Sequence, residues 1–168
     1  MHFIEYNRAE ALEYAKRWAM KRNPEYYNFD GLGGDCTNFA SQCLYAGCRV
    51  MNFEREYGWY YISPDNRAPA WSGCEFFKRF MLSNRGEGPF GIAREIHQLD
   101  EGDYILLNNG IEYYHTLIVV GFDGSIPLVA AHTFDAYKVR LDSYRYQGAF
   151  GLHIIGANFF SDRGPSPV

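Results

Sequence analysis

The chain has no basic run. Sixteen Lys and Arg against twenty Asp and Glu leave a formal charge of −4 over 168 residues, too little positive surface to hold a phosphate backbone, so no nucleic-acid partner is expected. No apolar run approaches the ~20 residues needed to cross a bilayer, and no membrane partner is expected either. The opening Met1-His2-Phe3-Ile4-Glu5 lacks the basic and apolar segments of a signal peptide, which reads as a chain that is cytoplasmic as synthesised. Only four cysteines occur, at 36, 43, 48 and 74. None has C-x-x-C spacing, so neither a metal knuckle nor a disulfide framework is expected, no cofactor is called for, and the thiols are read as reduced. Internal repeats are missing, and with 21% charged residues the chain is not of the disordered class. Residues 1–161 read as a single domain, with 162–168 as a frayed tail.

Aromatic residues, by contrast, make up 18% of the chain. Most are expected in the core; some, notably in the aperiodic stretch 49–70, are candidates to wall a substrate groove. Asn7 and Glu10 resemble a capping box ahead of an apolar face at Ala11, Leu12, Ala15, Trp18 and Ala19, which predicts a first helix ended by Asn23-Pro24. Phe39, Ala40, Cys43, Leu44 and Gly47 recur at helical spacing in a second helix, with Gly47 suited to end it. Ser72 and Glu75 form another capping box, with Trp71 and Phe76 as a staple, opening a helix to about Ser83. Beyond Gly91 the period becomes that of strands, at 102–107, 114–122, 126–133 and 151–159. Helices first and strands later predict an α+β domain with an antiparallel sheet.

Cys36 falls where a Gly33-Gly34 turn becomes the second helix. A thiol at a helix N-terminus meets unpaired N–H groups and the positive end of the dipole, which favour its thiolate and suit it to nucleophilic attack. The plain alternative is a buried core cysteine, since Cys36 shares the stripe of Phe39 and Cys43. Two histidines argue for chemistry. If Asp123 and Gly124 are the loop of a hairpin, Phe122 faces Ser125 and His115 falls directly opposite His132, close enough for one imidazole to orient the other. His115 is then the base for Cys36 and His132 its orienter, with Asp135 as the runner-up. Asp35, Tyr26, Tyr27 and Asp135 are candidates for contact with substrate or its oxyanion. His2, His97 and His153 are read as structural.

The order Asn23-Pro24-x-Tyr26, Gly33-Gly34-Asp35-Cys36-Thr37-Asn38-Phe39-x-Ser41-Gln42-Cys43-Leu44, Trp71, Gly102-Asp103, His115-Thr116-x-Ile118-Val119-x-Gly121 and His132-Thr133 resembles the bacterial putative amidase domain family. That family looks like a branch of the papain-like clan that includes NlpC-type peptidases and CHAP amidases. The resemblance spans nearly the whole chain; Ala40 and Cys48 depart from its usual pattern at positions that bear on helix packing. It implies a papain-like fold, with the nucleophile at a helix N-terminus packed on the C-terminal sheet. It also implies a cysteine hydrolase of endolysin or autolysin type, acting on peptidoglycan or a peptide-like substrate, with Cys36 as nucleophile, His115 as base and His132 in the third polar position. Such an enzyme would act at the cell wall after release or as a trimmed domain. Acyl transfer by the same residues, a non-catalytic wall-binding module, and a zinc amidase using Cys36, His115 and His132 as ligands are the competing readings.

Overall fold

The computed structural model describes residues 1–160; the tail assigned to 162–168 lies outside them. Helices occupy the first half and an antiparallel sheet dominates the second. Helix α1 (Arg8–Trp18) starts where the Asn7 side chain accepts the Glu10 N–H at 3.1 Å. The Asn7 N–H goes to the Gly47 carbonyl instead of closing a reciprocal box with Glu10. Helix α2 (Cys36–Cys48) is the centre of the molecule, with every residue except Tyr45 buried. It runs past Gly47 and ends at Arg49, which takes the left-handed cap at φ 60°. Gly47 serves close approach instead: a Cβ there would stand 2.3 Å from the Tyr6 ring.

The Ser72 capping box does not form. A short α3 (Pro69–Ser72) precedes α4 (Cys74–Ser83), and Gly73 is the N-cap. Ser72 accepts from Arg67, while the Glu75 carboxylate accepts the Tyr113 N–H at 2.7 Å. Trp71 is fully buried against Trp59, whereas Phe76 is exposed, so no staple joins them. Tertiary demand outcompetes the local cap at both residues.

The sheet contains β1 (His2–Glu5), β4 (Gly88–Ala93), β5 (Tyr104–Asn108), β6 (Tyr113–Asp123), β7 (Ile126–Ala131), β8 (Ala136–Arg140) and β9 (Gly148–Phe159). A small hairpin of β2 (Tyr61–Ser63) and β3 (Asn66–Arg67) lies in the aromatic stretch. Pairing runs β1-β9-β5-β6-β7-β8, with β4 also on β9. One face carries Tyr104, Leu106, Ile118, Ala130 and Leu152 against the helices; the other carries Ile105, Leu107, Leu117, Val119 and Val129 in a smaller cluster. Among the described residues no helix is long and apolar enough to cross a membrane.

The β6–β7 register differs from the expected one. Gly124 and Ser125 are the loop residues, Asp123 pairs with Ile126, and an irregularity between Val119 and Gly121 leaves Ile118 opposite Ala130. Carrying that register on aligns Thr116, not His115, with His132. Because side chains alternate every residue, a slip of one sends the two imidazoles to opposite faces.

Candidate active site

The turn before α2 is built by two glycines in the left-handed region, Gly33 at φ 89° and Gly34 at φ 103°. It delivers Cys36 to the helix N-terminus with its sulfur against β6. The thiol lies 3.8 Å from the Tyr114 carbonyl and 3.8 Å from Thr37 Oγ1. Thr37 Oγ1 meets Thr116 Oγ1 at 2.9 Å, and Thr116 Oγ1 donates to Cys74 Sγ at 3.1 Å. Burial pushes the Cys36 thiol above its ordinary range, although the Thr116 N–H and the Thr37 hydroxyl pull it back in part. The depressed pKa expected at a helix N-terminus is thus overridden by desolvation, and the resting sulfur is a neutral thiol.

His115 pairs opposite Leu107 on β5, and Tyr114 is the extra residue of the bulge between Leu107 and Asn108. Its ring neighbours are Tyr114 and Tyr144, centred 6.2 and 5.7 Å away. The hydrogen bonds of the described residues include none to its ring nitrogens. Burial lowers its pKa to about 4, so a neutral imidazole with unspent hydrogen-bonding capacity sits one residue from the carbonyl that holds the thiol. This has a stability consequence. The unfolded imidazole titrates near 6.5 and the folded one near 4, so between those values the unfolded chain binds the extra proton. The His115 contribution is intact above pH ~6.5 and is lost as the pH falls toward 4, costing about 2–3 kcal/mol. Thermal melts at pH 7 and pH 4.5 should show a smaller acid loss for His115→Gln than for the wild type.

His132 goes to the helix side. Its ring stacks on Phe39 at 4.0 Å, its Nδ1 meets Asp35 Oδ2 at 2.5 Å, and its Nε2 meets the Trp18 carbonyl at 2.8 Å. No hydrogen bond among the described residues joins any two of Cys36, His115 and His132. The partner of His132 is therefore the residue just before Cys36. A carboxylate and a carbonyl both accept, so each ring nitrogen of His132 faces an acceptor.

Asp35 does not cap α2. Its carboxylate turns inward, where Oδ1 accepts from the Phe29 N–H at 2.8 Å and the Asn38 amide at 2.9 Å. That withdrawal leaves the first N–H groups of α2 without a side-chain cap, the arrangement an oxyanion needs. The other polar residues of α2 tie down its burial. Asn38 donates to the Tyr27 carbonyl and accepts from Trp71 Nε1, and Ser41 donates to the Trp71 carbonyl and accepts from Trp59 Nε1. Gln42 accepts from the Tyr14 hydroxyl.

The remaining candidates are placed as follows. Tyr26 stacks on Trp71 at 6.0 Å and lines a cleft of about 510 Å³ with Tyr14, Trp18, Gln42 and Tyr45, which neither Cys36 nor His115 lines. The Tyr27 N–H is spent on the Tyr61 hydroxyl. Asp135 pairs with Arg22 at 2.8 Å. Sequence reasoning missed Arg22, which follows the end of α1 without any local pattern to mark it. It also left His153 without partners, whereas its Nδ1 lies 2.8 Å from Asp103 Oδ2. Asp100, Asp103 and His153 have ligand-like spacing. However, Arg94 Nη1 lies 3.1 Å and Arg8 Nη2 3.4 Å from that same nitrogen, so guanidinium charge already fills the place of a cation. Cys36, His115 and His132 do not converge as a ligand set among the described residues.

A family model described as "Putative amidase domain" matches residues 5–155. The chain belongs to the putative amidase domain family. This amidase-domain chain is also 35% identical to the uncharacterized protein YhbB of Bacillus subtilis (strain 168), over 93% of the chain and 50% of that protein. It spans about half the length of that relative. No solved structure matches it. The amidase domain is thus an α+β unit of helices followed by an antiparallel sheet, with the cysteine of its Gly-Gly-Asp-Cys turn buried against β6.

Proposed function

We propose that this domain is a cysteine-dependent amidase that hydrolyses amide bonds in peptidoglycan, in the stem peptide or at its link to the sugar. The observation that carries the reading is the thiol of Cys36 at a helix N-terminus that no side chain caps, with its sulfur on the Tyr114 carbonyl and the neutral His115 imidazole on the next residue of the strand. Membership of an amidase family supports the reaction class. In the proposed cycle the Cys36 proton passes to His115 through water, since no hydrogen bond among the described residues joins the two, as the sulfur attacks the amide carbon. The oxyanion is met by the first N–H groups of α2. The tetrahedral adduct then collapses to a thioester, and the leaving amine takes the proton from the His115 imidazolium. Water, deprotonated by His115, releases the carboxylic acid and restores the thiol. His132 acts at one remove, fixing Asp35 and through it the position of Cys36.

The test is release of soluble fragments from purified cell walls. New amino and carboxyl groups should appear in equal number, and EDTA should leave the rate unchanged. Rate loss on chelation with recovery on adding zinc would overturn the thiol mechanism. Product joined to an added amine in place of water would assign the domain to acyl transfer.

A further inference from the structure

Arg22 stands at the meeting point of three segments that surround the turn into α2. Its guanidinium takes both oxygens of Asp135, at 2.8 and 2.9 Å, and Asp30 Oδ2 at 2.5 Å. Its Nε faces Asp35 Oδ2 at 3.5 Å, the same oxygen that His132 Nδ1 holds at 2.5 Å. That Nε is the one buried side-chain polar atom without a hydrogen bond among the described residues. A buried N–H left unpaired beside a carboxylate is a charge contact without a bond, and keeping it is unfavourable unless the charge itself is needed. The ring of contacts closes through Thr133, whose Oγ1 accepts the Asp35 N–H at 2.7 Å and lies 3.4 Å from Asp30 Oδ1.

We propose that Arg22 is a positioning residue for the Cys36 nucleophile: it locks the turn before α2 and offsets the negative charge of Asp35 beside the sulfur. This rests on the amidase reading above. The charges count as follows. Asp30, Asp35 and Asp135 contribute three negative charges against the one positive charge of Arg22. Removing Arg22 leaves the carboxylate next to Cys36 less compensated, and that charge already acts to hold the thiol protonated. The other titratable groups around the sulfur are His115, next to Tyr114 on β6, and Cys74, reached through Thr37 and Thr116 from α4. Neither touches Arg22.

The experiment measures the pH profile of Cys36 alkylation by iodoacetamide, followed by peptide mapping, beside kcat and KM for wall-fragment release. Arg22→Gln should move the profile up by about half to one pH unit, using the lower end of the range for a neighbouring charge because Arg22 is partly exposed. Its kcat should fall about tenfold with KM within twofold. Arg22→Lys keeps the charge but loses the fork, and should keep the profile near that of the wild type. Asp135→Asn removes an outer negative charge and should move the profile the opposite way, which keeps the proposal testable even if Arg22→Gln does not fold. A folded Arg22→Gln with a wild-type profile, or an Asp135→Asn profile that stays put or moves up, overturns it. The alkylation profile is independent of hydrolysis, so wall-fragment release that survives Cys36→Ala would sink the amidase reading without touching the Arg22 result.

Discussion

Cys36→Ala is expected to abolish amide hydrolysis while leaving the fold in place. Removing the sulfur removes the only covalent route in the proposed cycle, a loss on the order of 10⁴- to 10⁶-fold for a nucleophile acting in a catalytic unit. The structural cost is small, because the sulfur's contacts with the Tyr114 carbonyl and Thr37 Oγ1 are long, at 3.8 Å each, and the neighbouring Thr37–Thr116 hydroxyl pair persists without it. Melts should stay within about 1–1.5 kcal/mol of the wild type. His115→Ala should lose a comparable part of the rate, and the double variant little more than either single one, since a base without its nucleophile has nothing to do. His132→Ala should retain measurable activity wherever it folds, because its ring bonds to Asp35 and Trp18 and not to His115. The measurements are wall-fragment release and thermal melts on each variant. Wild-type rates in folded Cys36→Ala would end the cysteine reading. A folded His132→Ala as inactive as His115→Ala would return His132 to the proton-transfer steps.

Asp35→Ala should be the most destabilising single change near the site. The carboxylate is 1% exposed and takes the Phe29 N–H, the Asn38 amide and the His132 ring, with Arg22 facing it. Without it those donors and the Arg22 guanidinium lose that acceptor together. Breaking a buried pair from one side costs about 3–5 kcal/mol, and at about 2–4 °C per kcal/mol for a chain of this size the melting temperature should fall by roughly 6–20 °C. Asp35→Asn keeps an acceptor for Phe29 and Asn38 and should cost less. A cycle with His132→Ala separates the pair from the rest: the double variant should be less destabilised than the sum of the singles, because each alone strands the other. A melt for Asp35→Ala within about 1 kcal/mol of the wild type would show that the turn is held by something else.

Both expectations depend on a motif whose parts differ in how far the sequence exposes them. The place of Cys36 is local physics: two glycines reach backbone angles that other residues resist, and an apolar stripe starts directly afterwards, so the cysteine has to open the helix. The α1 cap at Asn7 and the order of helices before strands follow in the same way from neighbours in the chain. The roles of Asp35, Asn38, Ser41 and Gln42 do not. In sequence Asp35 is legible only as the residue before Cys36, yet a helix as deeply buried as α2 has to satisfy its polar side chains with distant partners, and Asp35 is drawn to Phe29, His132 and Arg22. Arg22 has no local signature, because its partners Asp30, Asp35 and Asp135 come together only in three dimensions.

The histidines show the boundary most clearly. Their residue types, and the presence of a hairpin turn between them, are legible from the chain alone. Which face each ring takes depends on where the loop begins and on one irregularity between Val119 and Gly121. A strand alternates at every residue, so a shift of one reverses the answer, and no local preference is strong enough to set it. The sequence by itself determined the helix-opening cysteine, the sheet that follows it and the family to which the chain belongs. Only the tertiary structure decided that His132 serves Asp35 and not His115, and that burial outweighs the helix dipole at the thiol, because both depend on packing between segments some hundred residues apart.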